Sequence, residues 1–243
     1  MPQPELSIII PTYQEAHGIG QLIRYLRMHT QSYPAEILVV DGQSTDGTAE
    51  KAQQAGADAV WQSQPGRAIQ MNAGARHAKA DILYFLHADT YPPPSFVYDI
   101  QQAIAKGYHA GCFRMRFDSP HWLLKINQFF TRFPFLFCRG GDQSLFITRS
   151  LFEQLYGFNE HMQIMEDFDI ISRIRQITRF YIIPREITVS ARKYQYHGWL
   201  EVQLANWKVM RMWRKGASQA EMIAAYKRLL HHRTSKIPPA AQD

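Results

Sequence analysis

The chain has 243 residues, of which 46% are hydrophobic and 20% charged, enough for one large globular domain or a domain with an appendage. It contains no run of about 18 apolar residues, so the sequence predicts no membrane-spanning helix. The start of the chain lacks the basic and apolar regions of a signal peptide, and we expect no leader. Cys112 and Cys138 are too few for a disulfide framework or a zinc site, which favours a cytoplasmic location.

The net charge of +6 would suit anionic partners such as nucleotide phosphates, acidic lipid or nucleic acid. Most of the positive excess follows residue 170, without the compact basic blocks that nucleic-acid arms carry. We therefore expect no nucleic-acid partner. Charge alone does not decide between nucleotide phosphates and acidic lipid.

Short apolar runs alternate with helical patterns over the first 90 residues. Residues 6–11 are typical of a buried strand, and apolar residues then recur at helical spacing from Ile19. Further strands are predicted at 36–41, at 57–61 and from 83 to a stop at Asp89, with helices through 55 and from Pro65 to about 79. The alternation predicts an α/β fold, a mostly parallel sheet flanked by helices on both faces.

The pattern is less regular after residue 94. Helices are predicted at 95–106, 165–176, 199–215 and 219–230, and strands at 110–117, 144–148 and 180–183. We divide the chain into a main domain (1–198), a helical appendage (199–230) and a tail (231–243). The tail lacks periodicity, and we expect it to be disordered.

The segment 121–137 is dense in Trp, Phe and Leu. It could form an amphipathic helix at a membrane surface, or a lid and hydrophobic wall beside a ligand crevice. Lys125 and Arg132 interrupt any smooth apolar face, which favours the lid or core.

Acidic residues stand where the predicted strands end. Asp41 closes the second strand and Asp89 the fourth, and Glu15 follows the first. Because the carboxyl ends of parallel strands meet at one edge of a sheet, these acids would repel one another unless a ligand or metal relieved the charge. Asp89 could bind a hard divalent cation, or could simply cap a turn. Asp41 and Glu15 could accept hydrogen bonds from a base or ribose, and Tyr13 could stack on the base.

Arg67 lies in the first turn of the helix predicted from Pro65, where the helix dipole disfavours a cation. This placement suggests a bound anion, such as a diphosphate. The alternative is a solvated surface arginine, whose charge water screens.

Glu166 and Asp167 stand in the first turn of the helix predicted at 165–176, where acids are ordinary partners of the dipole. Asp167 also shares a helical stripe with the isoleucines at 170, 171, 174 and 177. An acid on an inward-facing stripe is costly unless it faces a polar cleft, where it could act as a general base towards a hydroxyl. Asp142, on a turn after two glycines, could face the same cleft.

Taken together, these residues resemble glycosyltransferase family 2, the inverting enzymes of GT-A fold. The matching stretches occur in the family's order between residues 6 and 180, at 8–15, 39–48, 66–75, 85–89 and 165–167. Leu86-His87-Ala88-Asp89-Thr90 and Gly141-Asp142-Gln143 resemble the subgroup called arsenosugar-biosynthesis-type glycosyltransferases. The subgroup label implies no substrate.

The resemblance implies hexosyl transfer from a UDP- or GDP-linked sugar to a hydroxyl acceptor, which could be lipid-linked. It implies Mg²⁺ or Mn²⁺ at Asp89, and Asp167 as the base that deprotonates the acceptor. The residues implied on the nucleotide-sugar side are Pro11, Thr12, Tyr13, Glu15, Asp41, Arg67, His87 and Ala88, and those on the acceptor side are Glu166, Asp142 and Gln143.

The chain departs from the family pattern at two positions. His87 replaces the first acid of the Asp-x-Asp motif, and Gln14 replaces the usual Asn.

Two other hypotheses about the function stay open. A sugar nucleotidyltransferase would want a glycine-rich phosphate loop after the first strand, and residues 11–13 are not one. A scaffold protein of the same fold without transferase activity would contact the membrane peripherally, on its cytoplasmic face, through 121–137 and the basic C-terminal helices.

Overall fold

The computed structural model describes residues 3–231. Its strands are β1 (Leu6–Thr12), β2 (Ala35–Asp41), β3 (Ala59–Gln62), β4 (Ile82–Phe85), β5 (Thr90–Tyr91), β6 (Ala110–Phe117), β7 (Leu145–Thr148) and β8 (Phe180–Val189). Its α-helices are α1 (Ile19–Thr30), α2 (Thr48–Gln54), α3 (Arg67–His77), α4 (Phe96–Ala105), α5 (Trp122–Phe130), α6 (Arg149–Gln154), α7 (Glu166–Ile177), α8 (Arg192–Tyr196), α9 (Trp199–Arg214) and α10 (Gln219–His231). Short 3-10 turns occupy Leu136–Cys138 and Gly141–Gln143.

The strands form one sheet in the order β3-β2-β1-β4-β7-β6-β8-β5. The pairs β1–β2, β1–β4, β2–β3 and β6–β8 are parallel, whereas β7 runs antiparallel to β4 and β6, and β5 to β8. Helices cover both faces, which confirms the predicted α/β class. Thr12 and Asp41 are register partners at the carboxyl ends of β1 and β2.

Alternation along β1 divides the core between the two faces of the sheet. Ile8 and Ile10 pack with α1 and α4, whereas Ile9 faces the opposite way and packs with α3, α6 and α7. All three side chains are fully buried. Successive strand residues point to opposite faces, so an apolar run with no polar interruption fits a strand that is covered on both sides.

Helix α3 approaches β1 closely at Gly74. A Cβ atom at this position would lie 2.4 Å from Ile9 Cγ2 and 3.2 Å from Val40 Cγ2, so glycine is the residue that fits. The close approach brings the first turns of α3, which carry Arg67 and Gln70, to the carboxyl ends of β1 and β2.

Two predicted boundaries beside the site are wrong. Strand β4 ends at Phe85 rather than at Asp89: Leu86 N–H makes a last bond to Ile9 O (3.0 Å), and the chain then turns, with Thr90 N–H donating to His87 O (3.2 Å). Helix α3 begins at Arg67 rather than at Pro65, because Gly66 has φ 142°, outside the helical region.

Three further elements differ from the sequence-based prediction. Strand β8 continues past residue 183 to Val189, because it resumes pairing with β6 after an irregularity beyond Phe113. Helices α6 and α8 were not predicted, and both are too short to show a helical period.

Helices α9 and α10 pack on each other through a small cluster of Val202, Ala205 and Leu230. Helix α10 ends at His231, and residues 232–243 of the predicted tail lie outside the described part of the chain. Within residues 3–231, no helix is long and apolar enough to cross a membrane.

Candidate active site

Asp41 holds the loop that follows β2. Its buried carboxylate accepts hydrogen bonds from Thr12 Oγ1 (3.1 Å), Ser44 N–H (2.8 Å) and Ser44 Oγ (2.6 Å). Three of about four lone-pair directions are therefore used inside the protein. The carboxylate fixes the end of β2 against that of β1, and a nucleobase contact from Asp41 stays a prediction.

Gln70 ties α3 to the same strand ends. Its Nε2 donates to the carbonyls of Thr12 (2.7 Å) and Val40 (2.8 Å). These are terminal strand carbonyls, which need a partner once buried. Because Gln70 lies three residues after Arg67, the two share a helix face. Sequence reasoning missed Gln70, although this spacing from Arg67 was a usable signal.

The counter-ion of Arg67 is a carboxylate of the protein itself. Arg67 Nε lies 2.7 Å from Glu166 Oε1, at ion-pair distance but without hydrogen-bond alignment. Glu166 is fully buried, whereas 44% of the Arg67 side chain is exposed. Burial, and then the neighbouring charge of Asp167, raise the pKa of Glu166 to about 7, and Arg67 opposes the rise. The unfavourable position of Arg67 at a helix start is thus compensated by α7, and its exposed side is open to a further anion.

The fully buried acid of α7 is Glu166, not Asp167. The stripe of isoleucines is correct at positions 170, 171 and 174, but Ile177 is exposed, so the inward stripe is shorter than predicted. Asp167 is partly exposed at the start of the helix. Asp167 nevertheless lines a cavity together with Ile170 and Ile171 of the same stripe, and its role as a general base stays a prediction.

His87 pairs with Asp142. His87 Nδ1 lies 3.3 Å from Asp142 Oδ1, and 56% of the Asp142 side chain is exposed. Burial alone would lower the pKa of His87, but the hydrogen bond to Asp142 raises it above its usual value. The pKa of His87 is raised and that of Asp142 is lowered, so the charged form of each partner is favoured. The pair connects the turn after β4 to the glycine turn at Gly141–Gln143.

A small cavity of about 10 Å³, room for one water molecule, lies beside these charges. Its lining residues are Met71, Phe85, His87, Gly140, Ser144, Leu145, Asp167, Ile170 and Ile171. Asp167 and His87 therefore share a cavity. Gln143 is also buried near this turn, and both its side-chain polar atoms lack a hydrogen-bond partner. Such buried atoms need a partner, and a bound ligand is one way to supply it.

Asp89 stands apart, beside Glu15. The carboxylate of Asp89 is partly exposed and accepts a long hydrogen bond from Thr90 Oγ1 (3.4 Å). Burial raises the pKa of Glu15; Arg192, whose Nη2 lies 3.4 Å from Glu15 Oε1, opposes the rise, and the charge of Asp89 adds to it. Sequence reasoning missed Arg192 because it lies on the unpredicted helix α8.

The predicted residues thus fall into three groups. Arg67, His87, Asp142, Glu166 and Asp167 form one charged cluster, joined by the contacts and charges above. Asp89 lies with Glu15, and Asp41 lies with Thr12. Among residues 3–231, no described contact joins Asp41 to Asp89 or Asp167. Of the remaining predicted residues, Pro11 and Ala88 are buried and Tyr13 is exposed.

No group of three or more His, Cys, Asp or Glu side chains that could hold a metal occurs in the described part of the chain. A divalent cation bound with a nucleotide needs fewer protein ligands, since Mg²⁺ is commonly held by one or two carboxylates together with phosphates. Asp89 fits this role, because its carboxylate has one long contact and repels Glu15.

The sequence places the chain in a known family. The family model described as "Glycosyl transferase family 2" matches residues 7–165. This match covers more than half of the chain and every charged site residue named above except Glu166, Asp167 and Arg192. The chain belongs to glycosyl transferase family 2.

Curated relatives match part of the chain. An uncharacterized glycosyltransferase of Mycobacterium tuberculosis is 32% identical over 108 residues, covering 42% of this chain and 40% of the relative. A dolichol-phosphate mannosyltransferase of Pyrococcus furiosus is 30% identical over 108 residues, covering 42% of this chain and 31% of the relative. The matched region spans less than half the length of these relatives.

The fold is similar to that of a solved mannosyltransferase, PcManGT from Pyrobaculum calidifontis, in complex with GDP-Man and Mn²⁺. The TM-score is 0.67 at 20% identity, over 98% of this chain and 77% of that chain. This likeness establishes the GT-A type of fold for the chain described here.

Proposed function

We propose that this glycosyltransferase moves a hexosyl group, with inversion, from a UDP- or GDP-linked sugar to a hydroxyl acceptor. The observation that carries the proposal is the charged cluster of Arg67, His87, Asp142, Glu166 and Asp167 near the carboxyl ends of β1 and β2. Ligands of α/β sheets bind beyond this edge. The GDP-Man in the similar PcManGT structure supports a nucleotide-sugar donor.

The nucleoside would lie along Pro11, Thr12, Tyr13, Glu15 and Asp41. Tyr13 has an exposed ring that can flank a base, and the end of β1 is held in place through Gln70. The diphosphate would meet the exposed side of Arg67, whose charge stays in place because Glu166 orients it. His87 and Ala88, on the turn after β4, would contact the sugar.

Asp167 is the proposed general base. It lines the same cavity as His87 and is partly exposed, so a hydroxyl can reach it. Glu166, Asp142 and Gln143 would position the acceptor. Asp167 would take the proton of the acceptor hydroxyl, whose oxygen would attack the anomeric carbon from the face opposite the diphosphate. The bond to the diphosphate would break as the new bond forms, which inverts the anomeric centre. A Mg²⁺ or Mn²⁺ ion held by Asp89 would neutralise charge on the leaving diphosphate. The Mn²⁺ in the PcManGT complex supports this choice of metal.

The acceptor hydroxyl could be lipid-linked, as the name of the Pyrococcus furiosus relative suggests. The arsenosugar-type subgroup, the domain limits at 198 and 230, and a cytoplasmic location are also part of the proposal. Both cysteines are free thiols, as a reducing compartment would leave them.

The test compares Asp167→Asn with Asp169→Asn. Asp169 stands in the same first turn of α7 but pairs with Arg173, away from the cavity. Binding of GDP and UDP is measured with Mn²⁺, and release of nucleotide from GDP-mannose and UDP-glucose is measured as turnover. We expect Asp167→Asn to lose at least about 100-fold in turnover with unchanged nucleotide affinity, and Asp169→Asn to stay near wild type.

Unchanged turnover in Asp167→Asn would remove the base assignment. Absence of nucleotide binding to the wild-type protein would remove the transferase proposal and favour the scaffold hypothesis.

A further inference from the structure

Helix α5 presents large apolar side chains to solvent on one face. Trp122, Ile126, Phe129 and Phe130 are exposed and recur at i, i+4, i+7 and i+8, with Trp122 at 67%. Only Leu124 of this helix is buried in the core. The helix is therefore packed on the core by one side and leaves its aromatic side exposed to solvent.

The exposed aromatic rings continue beyond α5 on an ordered turn. Phe135 and Phe137 are exposed and stack with ring centroids 5.4 Å apart. Buried Arg139 holds the backbone beneath them, donating hydrogen bonds to Phe133 O (2.8 Å) and Thr131 O, and to Cys112 Sγ (3.2 Å). A buried arginine bound to backbone carbonyls fixes the turn, so the exposure of these rings is built into the fold.

Helix α9 has a second exposed apolar stripe. Leu200, Leu204 and Trp207 are exposed at i, i+4 and i+7. The two helices are neighbours, because the hydroxyl of Tyr194 accepts hydrogen bonds from Asn127 of α5 and Gln203 of α9, both at 3.4 Å. We call the exposed apolar residues of α5, of the turn after it and of α9 the aromatic surface.

The charges around the aromatic surface are almost all positive. Residues 121–137 contain two basic residues, Lys125 and Arg132, and no acid, and α9 has three basic residues and one acid, Glu201, which accepts from Gly198 N–H at the helix start. Two of the cations cover exposed rings: the Arg132 guanidinium lies 4.3 Å from the Phe129 ring centroid, and that of Arg211 lies 5.4 Å from the ring of Trp207. The flexible stems of Lys and Arg let such charges reach outward beside an apolar contact.

We propose that the aromatic surface docks the protein on an anionic phospholipid bilayer. Trp, Phe and Leu on one side of a helix with Lys and Arg at its border are the features that bind a membrane interface, and anionic headgroups supply the complementary charge. An apolar protein partner would not need this one-sided positive charge. The sequence favoured a lid or core for 121–137; the exposure of its rings reverses that preference.

The position of the surface fits the proposed function. The turn that Arg139 fixes continues directly into Gly141–Gln143, where Asp142 contacts His87. The acceptor side of the proposed site therefore adjoins the docking surface, which would bring a lipid-linked acceptor to Asp167. Only this link to the acceptor rests on the proposed function, and the docking itself does not.

The test uses the full chain and flotation with vesicles of phosphatidylcholine, alone or mixed with phosphatidylglycerol. We expect binding to the mixed vesicles, weaker binding at high salt, and little binding to phosphatidylcholine alone. The triple variant Phe129→Ser, Phe130→Ser, Phe137→Ser should lower the partition coefficient at least tenfold. The control Tyr156→Ser removes a ring that is 94% exposed after α6, a helix packed on the opposite face of the sheet, and should bind as wild type.

Absence of binding to the mixed vesicles, or equal binding by the triple variant, would overturn the proposal. So would a concentration-dependent dimer in sedimentation that the triple substitution abolishes, because the surface would then be occupied by a second copy. Nucleotide sugar is absent from these measurements, so their outcome is independent of whether the protein transfers sugar.

Discussion

The guanidinium of Arg67 lies 2.7 Å from the carboxylate of Glu166, and this contact joins the first turns of α3 and α7. One partner is fully buried and the other is partly exposed. An unpaired carboxylate in the core would cost folding free energy, so the ion pair with Glu166 is kept and holds Arg67 in place. The exposed side of the guanidinium stays available to a ligand. The pair thus fixes a positive charge near the edge of the sheet where the ligand is proposed to bind.

Removing Arg67 should destabilise the protein in a pH-dependent way. We expect Arg67→Ala to cost about 3 kcal/mol at pH 8, where Glu166 loses its counter-ion and must either stay charged in the core or bind a proton, and less at pH 5, where Glu166 is already protonated. Urea unfolding at the two pH values measures this. The control is Arg76→Ala on the same helix, whose pair with Glu160 is exposed and should contribute less than about 1 kcal/mol. Equal losses for both variants would contradict the prediction.

Glu166 should also make stability fall as the pH rises. Its pKa is about 7 in the folded protein, above the usual 4.5, so the native state holds the proton more tightly between these values. The free energy of unfolding should therefore decrease from pH 4.5 to 7 by about 1–3 kcal/mol through this group, with no further change below or above that window.

The measurement is urea unfolding of Glu166→Gln beside wild type across this range. The variant lacks the titrating group, so its stability should gain on that of wild type as the pH rises. Parallel curves would show that the Glu166 pKa is not raised.

Asp89 should be responsible for metal-dependent nucleotide binding. With GDP and Mn²⁺ at about 100 times the dissociation constant, ligand binding should stabilise wild type by about 2.7 kcal/mol, seen as a rise in melting temperature. Asp89→Asn should lose the part of the rise that depends on Mn²⁺. Asp81→Asn is a matched control, since Asp81 is an exposed acid just before the other end of β4. A full Mn²⁺ response in Asp89→Asn would exclude Asp89 as the ligand.

Gly74→Ala should disturb both stability and the site. Its methyl group would lie 2.4 Å from Ile9 Cγ2, so α3 must move away from β1, at a cost of about 1–3 kcal/mol. Gly140→Ala, with no atom within 4 Å of the added Cβ, should change stability by less than about 0.5 kcal/mol. Thermal unfolding compares the two. A neutral Gly74→Ala would mean that α3 is not held tightly against β1.

Much of the fold follows from sequence patterns. Uninterrupted apolar runs such as that of β1 indicate strands covered on both faces, and the spacing of Ile19, Leu22, Ile23 and Leu26 predicted α1, where all four are fully buried. Strand β6 has the predicted limits. The order of strands and the antiparallel course of β7 could not be predicted, because they depend on pairings between distant segments.

The site was less predictable, since its side chains are paired across elements. Nothing local distinguishes Glu166 from Asp167; which of the two is buried depends on the position of Arg67 on another helix. Gly66 has a positive φ, which is outside the helical region, so α3 begins at Arg67 and not at Pro65 as predicted. Arg192 lies far along the chain on a five-residue helix, and only the tertiary fold brings it to Glu15.

The two outermost strands of the sheet, β3 and β5, are four and two residues long. On β3, the Trp61 ring is stacked on His77, with ring centroids 3.9 Å apart. Strands this short offer few free backbone groups to a neighbouring molecule, so a second copy has little template for main-chain pairing along β3 or β5.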